Sequence, residues 1–121
     1  MAKRHDIEGP IHRSILQYLQ LTLGRSAVIH HSPNELNLSG VAVQKAIAQN
    51  KAKALGMVTG WPDLEIITGG RVYFMEVKGP RGVHSVKQRD VQERLEGCGA
   101  GYAVVRNIDD AEDALKRWGL K

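Results

Sequence analysis

Cysteine, aromatic residues and long apolar runs are all scarce in this chain of 121 residues. Cys98 is the only cysteine, which excludes a disulfide framework and a thiolate metal cluster. We interpret it as a small residue at a helix end, because the sequence identifies no base that would activate it as a nucleophile. Two Trp, three Tyr and one Phe are too few for the stacking ladder of single-strand binders. No apolar run approaches the roughly 18 residues of a membrane span.

The overall composition is that of an ordinary soluble globular protein, with 42% hydrophobic and 25% charged residues. The length predicts one domain over residues 1–121. The first residues lead into a mixed segment with Glu8 and Pro10 and lack the apolar core of a signal peptide, so we expect a cytoplasmic location. A net charge of +4 is compatible with phosphate-rich partners without establishing them.

Hydrophobic periodicity and turn signals predict a mixed β-sheet with helices packed on it, in the order α, β, α, β, β, α, β, α. Apolar residues spaced by three or four indicate the first helix, with Pro10 in its first turn. The Gly69-Gly70 pair is a tight-turn signal, and "SVKQ" has the form of a capping box. The predicted helices cover 7–21, 41–55, a segment from Ser85 to Gly97, and 109–119, and the predicted strands cover 25–31, 63–68, 71–78 and 102–106.

Three charged residues lie in the predicted hairpin, among residues that favour burial. Alternation along a strand places Glu76 and Lys78 on one face. Closing the hairpin at Gly69-Gly70 then brings Asp63 beside them. Two close carboxylates repel each other unless a cation or a shared proton intervenes, and their hard oxygens suit Mg²⁺ or Mn²⁺. The alternative is an exposed strand end with an ordinary Lys–Glu pair, worth about 0.2–1 kcal/mol.

Several short motifs around this hairpin occur together. They are Gly-x-Pro-Asp-Leu at 60–64, Glu-Val-Lys at 76–78, Ser-x-x-Gln at 85–88 and Val-Val-Arg at 104–106. As a set, they resemble the VRR-NUC domain, a branch of the PD-(D/E)XK nuclease superfamily. The resemblance covers residues 60–106, with weaker agreement in the N-terminal helix. It implies an α/β restriction-endonuclease-like core with a mixed central sheet flanked by helices, in αβββαβ order.

The resemblance also implies an activity and a set of site residues. The activity is Mg²⁺- or Mn²⁺-dependent hydrolysis of DNA phosphodiesters, in which Lys78 would orient or activate the attacking water. The implied catalytic residues are Asp63, Glu76, Lys78 and Gln88, and the implied metal ligands are Glu8, Asp63, Glu76 and the backbone carbonyl of Val77.

Some positions near these motifs keep two interpretations. Gln88 has the spacing to face the sheet, and it is also the capping partner expected for Ser85. Strict alternation puts Glu65 on the face of Asp63, so it is either solvated beyond the cleft or turned aside by a twist or bulge. His12 is a surface or half-buried histidine, a partner of a metal ligand, or a DNA contact. His30-His31 lacks a third ligand at a suitable spacing, so we interpret it as a strand end near the DNA path.

The substrate and the partners follow from charge and from the resemblance. Six basic residues bracket the motifs and are predicted to neutralise phosphates: Lys51, Lys53, Arg71, Arg81, Lys87 and Arg89. Trp61 either borders the cleft or packs under the hairpin. Stand-alone proteins of this kind are expected in bacteria or phages, as homodimers that cut branched DNA such as four-way junctions beside a helicase. The rival hypotheses are a catalytically inactive nucleic-acid-binding module on the same fold and a structural domain with a surface ion pair.

Overall fold

A mixed four-stranded sheet organises the chain, in a computed structural model that describes residues 5–33 and 42–121. Its strands are β1 (Val28–His31), β2 (Leu64–Thr68), β3 (Arg71–Val77) and β4 (Gly101–Val105), side by side in that order. β1, β2 and β3 are antiparallel neighbours, and β4 runs parallel to β3. The helices are α1 (His5–Leu23), α2 (Ala42–Ala54), α3 (Val86–Gly97) and α4 (Ile108–Arg117). This confirms the predicted α/β class and order of elements.

Local chemistry explains the two best-predicted features. Gly69 and Gly70 have φ of 59° and 76°, as the two-residue turn between β2 and β3 requires. Ser85 caps α3: its hydroxyl accepts the amide of Gln88 at 3.1 Å, and the Gln88 side chain accepts the amide of Ser85 at 2.9 Å. The capping box predicted from "SVKQ" is therefore confirmed.

Most element boundaries differ from the predictions by one to three residues, and two of the differences have a clear physical cause. The strand predicted over 25–31 begins only at Val28, because Gly24, with a φ of 61°, starts a short 3₁₀ turn over Gly24–Ser26. The first helix begins at His5, so Pro10 lies in its second turn and not in its first turn as predicted. Because proline has no amide hydrogen, the helix lacks one backbone hydrogen bond at this position. The predicted start of the second helix at Val41 lies outside the described residues, and the helix ends at Ala54, one residue before the predicted end at Leu55.

The two faces of the sheet pack against different helices. One face carries Leu64, Ile66 and Met75, which form a fully buried core with α1 and α4. On the opposite face, Phe74 is 3% exposed, packs edge-to-face with Trp61 at 5.4 Å, and lies on the side of α3. Glu76 alternates with Met75 and therefore shares the face of Phe74. The smaller layer between the sheet and α3 is where the charged residues of the hairpin lie.

In the described part of the chain, no helix combines the length and the apolarity that crossing a bilayer requires.

Candidate active site

The open end of the hairpin brings Asp63 and Glu76 together. The register pairs Leu64 with Met75, and one further step sets position 63 opposite position 76. The Asp63 carboxylate accepts the backbone amide of Val77 at 2.8 Å, which fixes it against the end of β3. The two carboxylates that were predicted to converge, those of Asp63 and Glu76, therefore lie together in the folded chain, next to the peptide group of Val77.

Glu76 is buried although one of its carboxylate oxygens makes no hydrogen bond to the described residues. Its side chain is 2% exposed, and its Oε1 atom has no hydrogen-bond partner among the described residues. Burial raises the pKa of Glu76 to about 9, helped by the charge and hydrogen bonding of Asp63 and by the charge of Glu8, while Lys78 opposes the shift. Two carboxylates this close repel each other unless a proton or a cation lies between them.

Lys78 lies two residues after Glu76 and is half-buried beside the two carboxylates. Its amide continues the parallel ladder by donating to the carbonyl of Val105 at 3.0 Å. A Cβ added to Gly82 would lie 3.2 Å from Lys78 Cδ, so the turn after β3 folds closely over the lysine side chain. The turn thereby restricts the lysine side chain, whose charge lowers the pKa of Glu76.

Gln88 takes both of the roles considered for it. Its carbonyl oxygen completes the capping box of α3, and its Nε2 lies 3.4 Å from Glu76 Oε2. Because the cap occupies the oxygen, the amide nitrogen points to the carboxylate. One side chain thus fixes the start of α3 to the site.

Gly60 has a role that the motif did not reveal. It has a φ of 87°, and a Cβ there would lie 3.0 Å from the carbonyl carbon and oxygen of Lys87. The segment before Asp63 therefore packs directly under the first turn of α3. Only glycine combines this conformation with this approach.

The N-terminal helix reaches the site through its first turns. A Cβ on Gly79 would lie 3.5 Å from Glu8 Cγ, which places Glu8 next to the end of β3. One turn later, the His12 ring meets the His31 ring edge-on with a centroid distance of 4.5 Å. Burial and the charge of His31 lower the pKa of His12, while Asp63 opposes the shift.

His31 supports Asp63 directly. Its Nδ1 lies 3.1 Å from the Asp63 carbonyl, which also accepts the amide of Ser32 at 2.9 Å. The predicted "strand end" histidine is thus part of the frame around the first carboxylate. Nothing in the local sequence indicates this contact, since it joins residues that are 32 positions apart.

Glu65 stays on the face of Asp63. The pairing of β2 with β3 is continuous and sets Glu65 opposite Phe74, so no bulge turns it aside. It is half-buried and lies two positions nearer the hairpin turn. The alternative of a bulge is therefore excluded.

The six predicted phosphate contacts fall into three regions. Lys51 and Lys53 are exposed in the last turn of α2. Arg71 begins β3 at the hairpin turn, five residues from Glu76 and therefore roughly 17 Å from the carboxylates along the strand. Arg81, Lys87 and Arg89 are exposed between β3 and the second turn of α3, beside the site.

The donor set fits a hard divalent cation. Glu76 offers an unpartnered buried oxygen, and Asp63 offers a second carboxylate within reach. The described residues contain no compact group of three or more His, Cys, Asp and Glu side chains, so Glu8 is close without closing a three-residue shell. Two carboxylates with water and a peptide carbonyl suit Mg²⁺, which usually keeps several waters.

The arrangement defines an α/β domain with a restriction-endonuclease-like core. Solved structures share it. The chain is similar to one described as "VRR_NUC domain", with a TM-score of 0.61 and 19% identity over 92% of this chain and 96% of that one. It is also similar to a "VRR_NUC domain protein", with a TM-score of 0.70 and 20% identity over 93% of this chain and 87% of that one. The fold is therefore that of VRR_NUC domains, which confirms the resemblance at the level of structure.

Comparison with sequence families gives no match, and neither does comparison with curated proteins.

Proposed function

We propose that this protein is a Mg²⁺- or Mn²⁺-dependent nuclease that hydrolyses phosphodiester bonds in DNA. The observation that carries the proposal is the buried Glu76 carboxylate, with one unpartnered oxygen, beside the carboxylate of Asp63. Such a pair weakens the fold unless it binds something, and perturbed carboxylates of this kind are typical of functional sites. A scaffold or a surface ion pair has no need of it.

Each residue of the site has a specific task in this hydrolysis. Asp63 and Glu76 would hold the cation, with the Val77 carbonyl and Glu8 as the further oxygen donors. When bound, the cation would polarise the phosphate and lower the pKa of an attacking water. Lys78 would orient that water or offset charge on a phosphate oxygen. Gln88 would keep the Glu76 carboxylate oriented through its amide nitrogen.

The preferred DNA and the assembly are finer parts of the proposal. The resemblance supports cleavage of branched DNA such as a four-way junction, by a homodimer that presents two sites and works beside a helicase. Arg81, Lys87 and Arg89 would contact the backbone of the strand being cut, with sequence-independent and salt-dependent affinity.

The test is incubation of labelled linear, flapped and four-way-junction DNA with Mg²⁺ or Mn²⁺. The native protein should cut, and Lys78→Ala should bind DNA but lose cleavage, because the variant retains the acidic ligands and loses the amine beside the phosphate. Lys116→Ala, in an exposed ion pair on α4, is the matched control and should cut normally. The size of the complex with junction DNA tests the homodimer.

Two results would contradict the proposal. Equal nicking by native protein and Lys78→Ala would identify a contaminating nuclease. Binding of all three DNAs without cleavage in either metal would identify the inactive nucleic-acid-binding module.

A further inference from the structure

The turn between β3 and α3 holds two arginines in fixed positions. Arg106, just after β4, donates from Nη1 to the carbonyl of Gly79 at 2.6 Å. Arg89, in α3, donates from Nε to the carbonyl of His84 at 3.3 Å. The two guanidinium groups are thus anchored at opposite ends of the turn. Each retains further N–H donors, since a guanidinium has five.

Lys78 and the His84 ring lie beside these two arginines. The same turn folds over Lys78 at Gly82, and the His84 ring lies 3.0 Å from the Tyr102 hydroxyl. Burial lowers the pKa of His84, and the charges of Lys78, Arg89 and Arg106 lower it further. Lys78, Arg89 and Arg106 are therefore each close enough to act on His84 electrostatically.

Arg89 and Arg106 form no ion pair with a carboxylate in the described part of the chain. The ion pairs between described residues both involve Glu112 on α4, with Lys116 and Lys121. The charges of these two arginines are consequently left for an outside partner. The turn also adjoins the carboxylates, since Lys78 lowers the pKa of Glu76 and the charge of Glu76 helps to raise that of Tyr102.

We infer that Arg89, Arg106 and His84 form a binding site for a second, uncleaved phosphate of the nucleic-acid strand, next to the phosphate held at Asp63 and Glu76. This inference rests on the proposed function and adds a specific subsite to it. Arginines anchored by one N–H lose little further freedom on binding, and their forked donors match the oxygens of a phosphodiester. His84 contacts Tyr102 through Nε2, so only its Nδ1 is left to bond a phosphate oxygen, and the arginines carry most of the affinity.

The experiment measures binding of a fluorescent DNA duplex in EDTA, so that cleavage does not contribute. Arg89→Gln should weaken binding about tenfold and lower the slope of log affinity against log salt by about one. Arg117→Gln is the matched control, because Arg117 is an exposed arginine on α4, which packs on the opposite face of the sheet. It should change the affinity by less than about twofold.

Arg106→Gln and His84→Gln extend the measurement. Arg106→Gln should weaken binding as much as Arg89→Gln, with thermal unfolding recorded because it also loses the bond to Gly79. His84→Gln should have a smaller effect. Equal losses of affinity in Arg89→Gln and Arg117→Gln would mean that only the net charge of the protein matters, and this would overturn the inference. Unchanged affinity in Arg89→Gln would overturn it as well.

This result is separate from the test of nuclease activity. A native protein that never cuts DNA, while Arg89→Gln and Arg117→Gln still differ in binding, would overturn the proposed function and keep the phosphate site. A native protein that cuts DNA, with equal losses of binding in the two variants, would support the proposed function and overturn the phosphate site.

Discussion

The two ends of the β2–β3 hairpin use charge and glycine in opposite ways. At the closed end, Gly69 and Gly70 have no atom within 4 Å of an added Cβ, and Arg71 is exposed to solvent. At the open end, Gly60 is pressed against α3, and Glu76 is buried with an unpartnered oxygen. The closed end only has to reverse the chain. The open end holds groups that oppose folding, and the surrounding elements keep them in place.

This contrast separates stability from function within one supersecondary unit. Burial of this carboxyl group lowers the stability of the apoprotein at any pH above its ordinary pKa of 4.5, because the unfolded chain can ionise there and the folded site resists ionisation. Proteins retain such costs mainly at sites that act on other molecules. Three changes would break or sharpen the comparison.

The largest effect is expected from removing the charge of Glu76. Glu76→Gln should lower DNA cleavage by more than about a hundredfold and abolish Mn²⁺ binding in calorimetry, because an amide is a poor substitute for a cation ligand. Its control is Glu65→Gln, on the same face of the same hairpin. That variant should bind Mn²⁺ and cut DNA like the native protein. Equal losses in both variants would mean that the two carboxylates do not differ in role.

The second effect is on the pH dependence of stability. The folded protein holds the Glu76 proton up to about pH 9, whereas the unfolded chain releases it near its ordinary value of 4.5. The folded state therefore binds more protons between these values, and the free energy of unfolding should fall as the pH rises. Mn²⁺ competes with that proton, so the stabilisation it provides should grow with pH.

Thermal unfolding from about pH 7 to about pH 9 isolates this effect. The lowered pKa values of His12 and His84 act in the opposite direction, but only below their ordinary value of 6.5. Glu76→Gln should unfold at a higher temperature than the native apoprotein at the upper end of this range and should lose most of the slope. A native apoprotein with constant or rising stability across the range would show that the carboxylates do not share a proton.

The smallest effect compares the two ends through their glycines. Gly60→Ala and Gly69→Ala both force a Cβ into a positive φ, which costs about 1–2 kcal/mol. Gly60→Ala adds a clash with the backbone of Lys87, so its urea midpoint should fall further. It should also weaken Mn²⁺ binding, because displacing α3 moves Gln88 and the segment before Asp63. A larger loss of stability in Gly69→Ala than in Gly60→Ala would contradict the comparison, because it would mean that the closed end of the hairpin is the more tightly packed.

Much of the site was predictable because its spacing is local. Alternation sets Glu76 and Lys78 on one face, and the paired glycines set the register that brings Asp63 opposite Glu76. The capping box of Ser85 and Gln88 depends on four consecutive residues. These features need no knowledge of the rest of the chain.

Other parts of the site could not be predicted from the sequence. His31 meets the Asp63 carbonyl across 32 positions, and Arg106 meets the Gly79 carbonyl across 27. Side chains this distant in sequence meet only after the helices have packed, and no periodicity records which of them will do so.

The sequence by itself determined the hairpin, the order of helices and strands, and the convergence of two carboxylates and a lysine, because hydrogen-bond geometry and side-chain alternation act over a few residues. Only the tertiary structure decided that Glu76 would be buried, that α1 would bring Glu8 and His12 to the same end of the sheet, and that two arginines would be anchored on one turn. Burial and electrostatic strength depend on what surrounds a group in space, and that is set by the packing of whole elements.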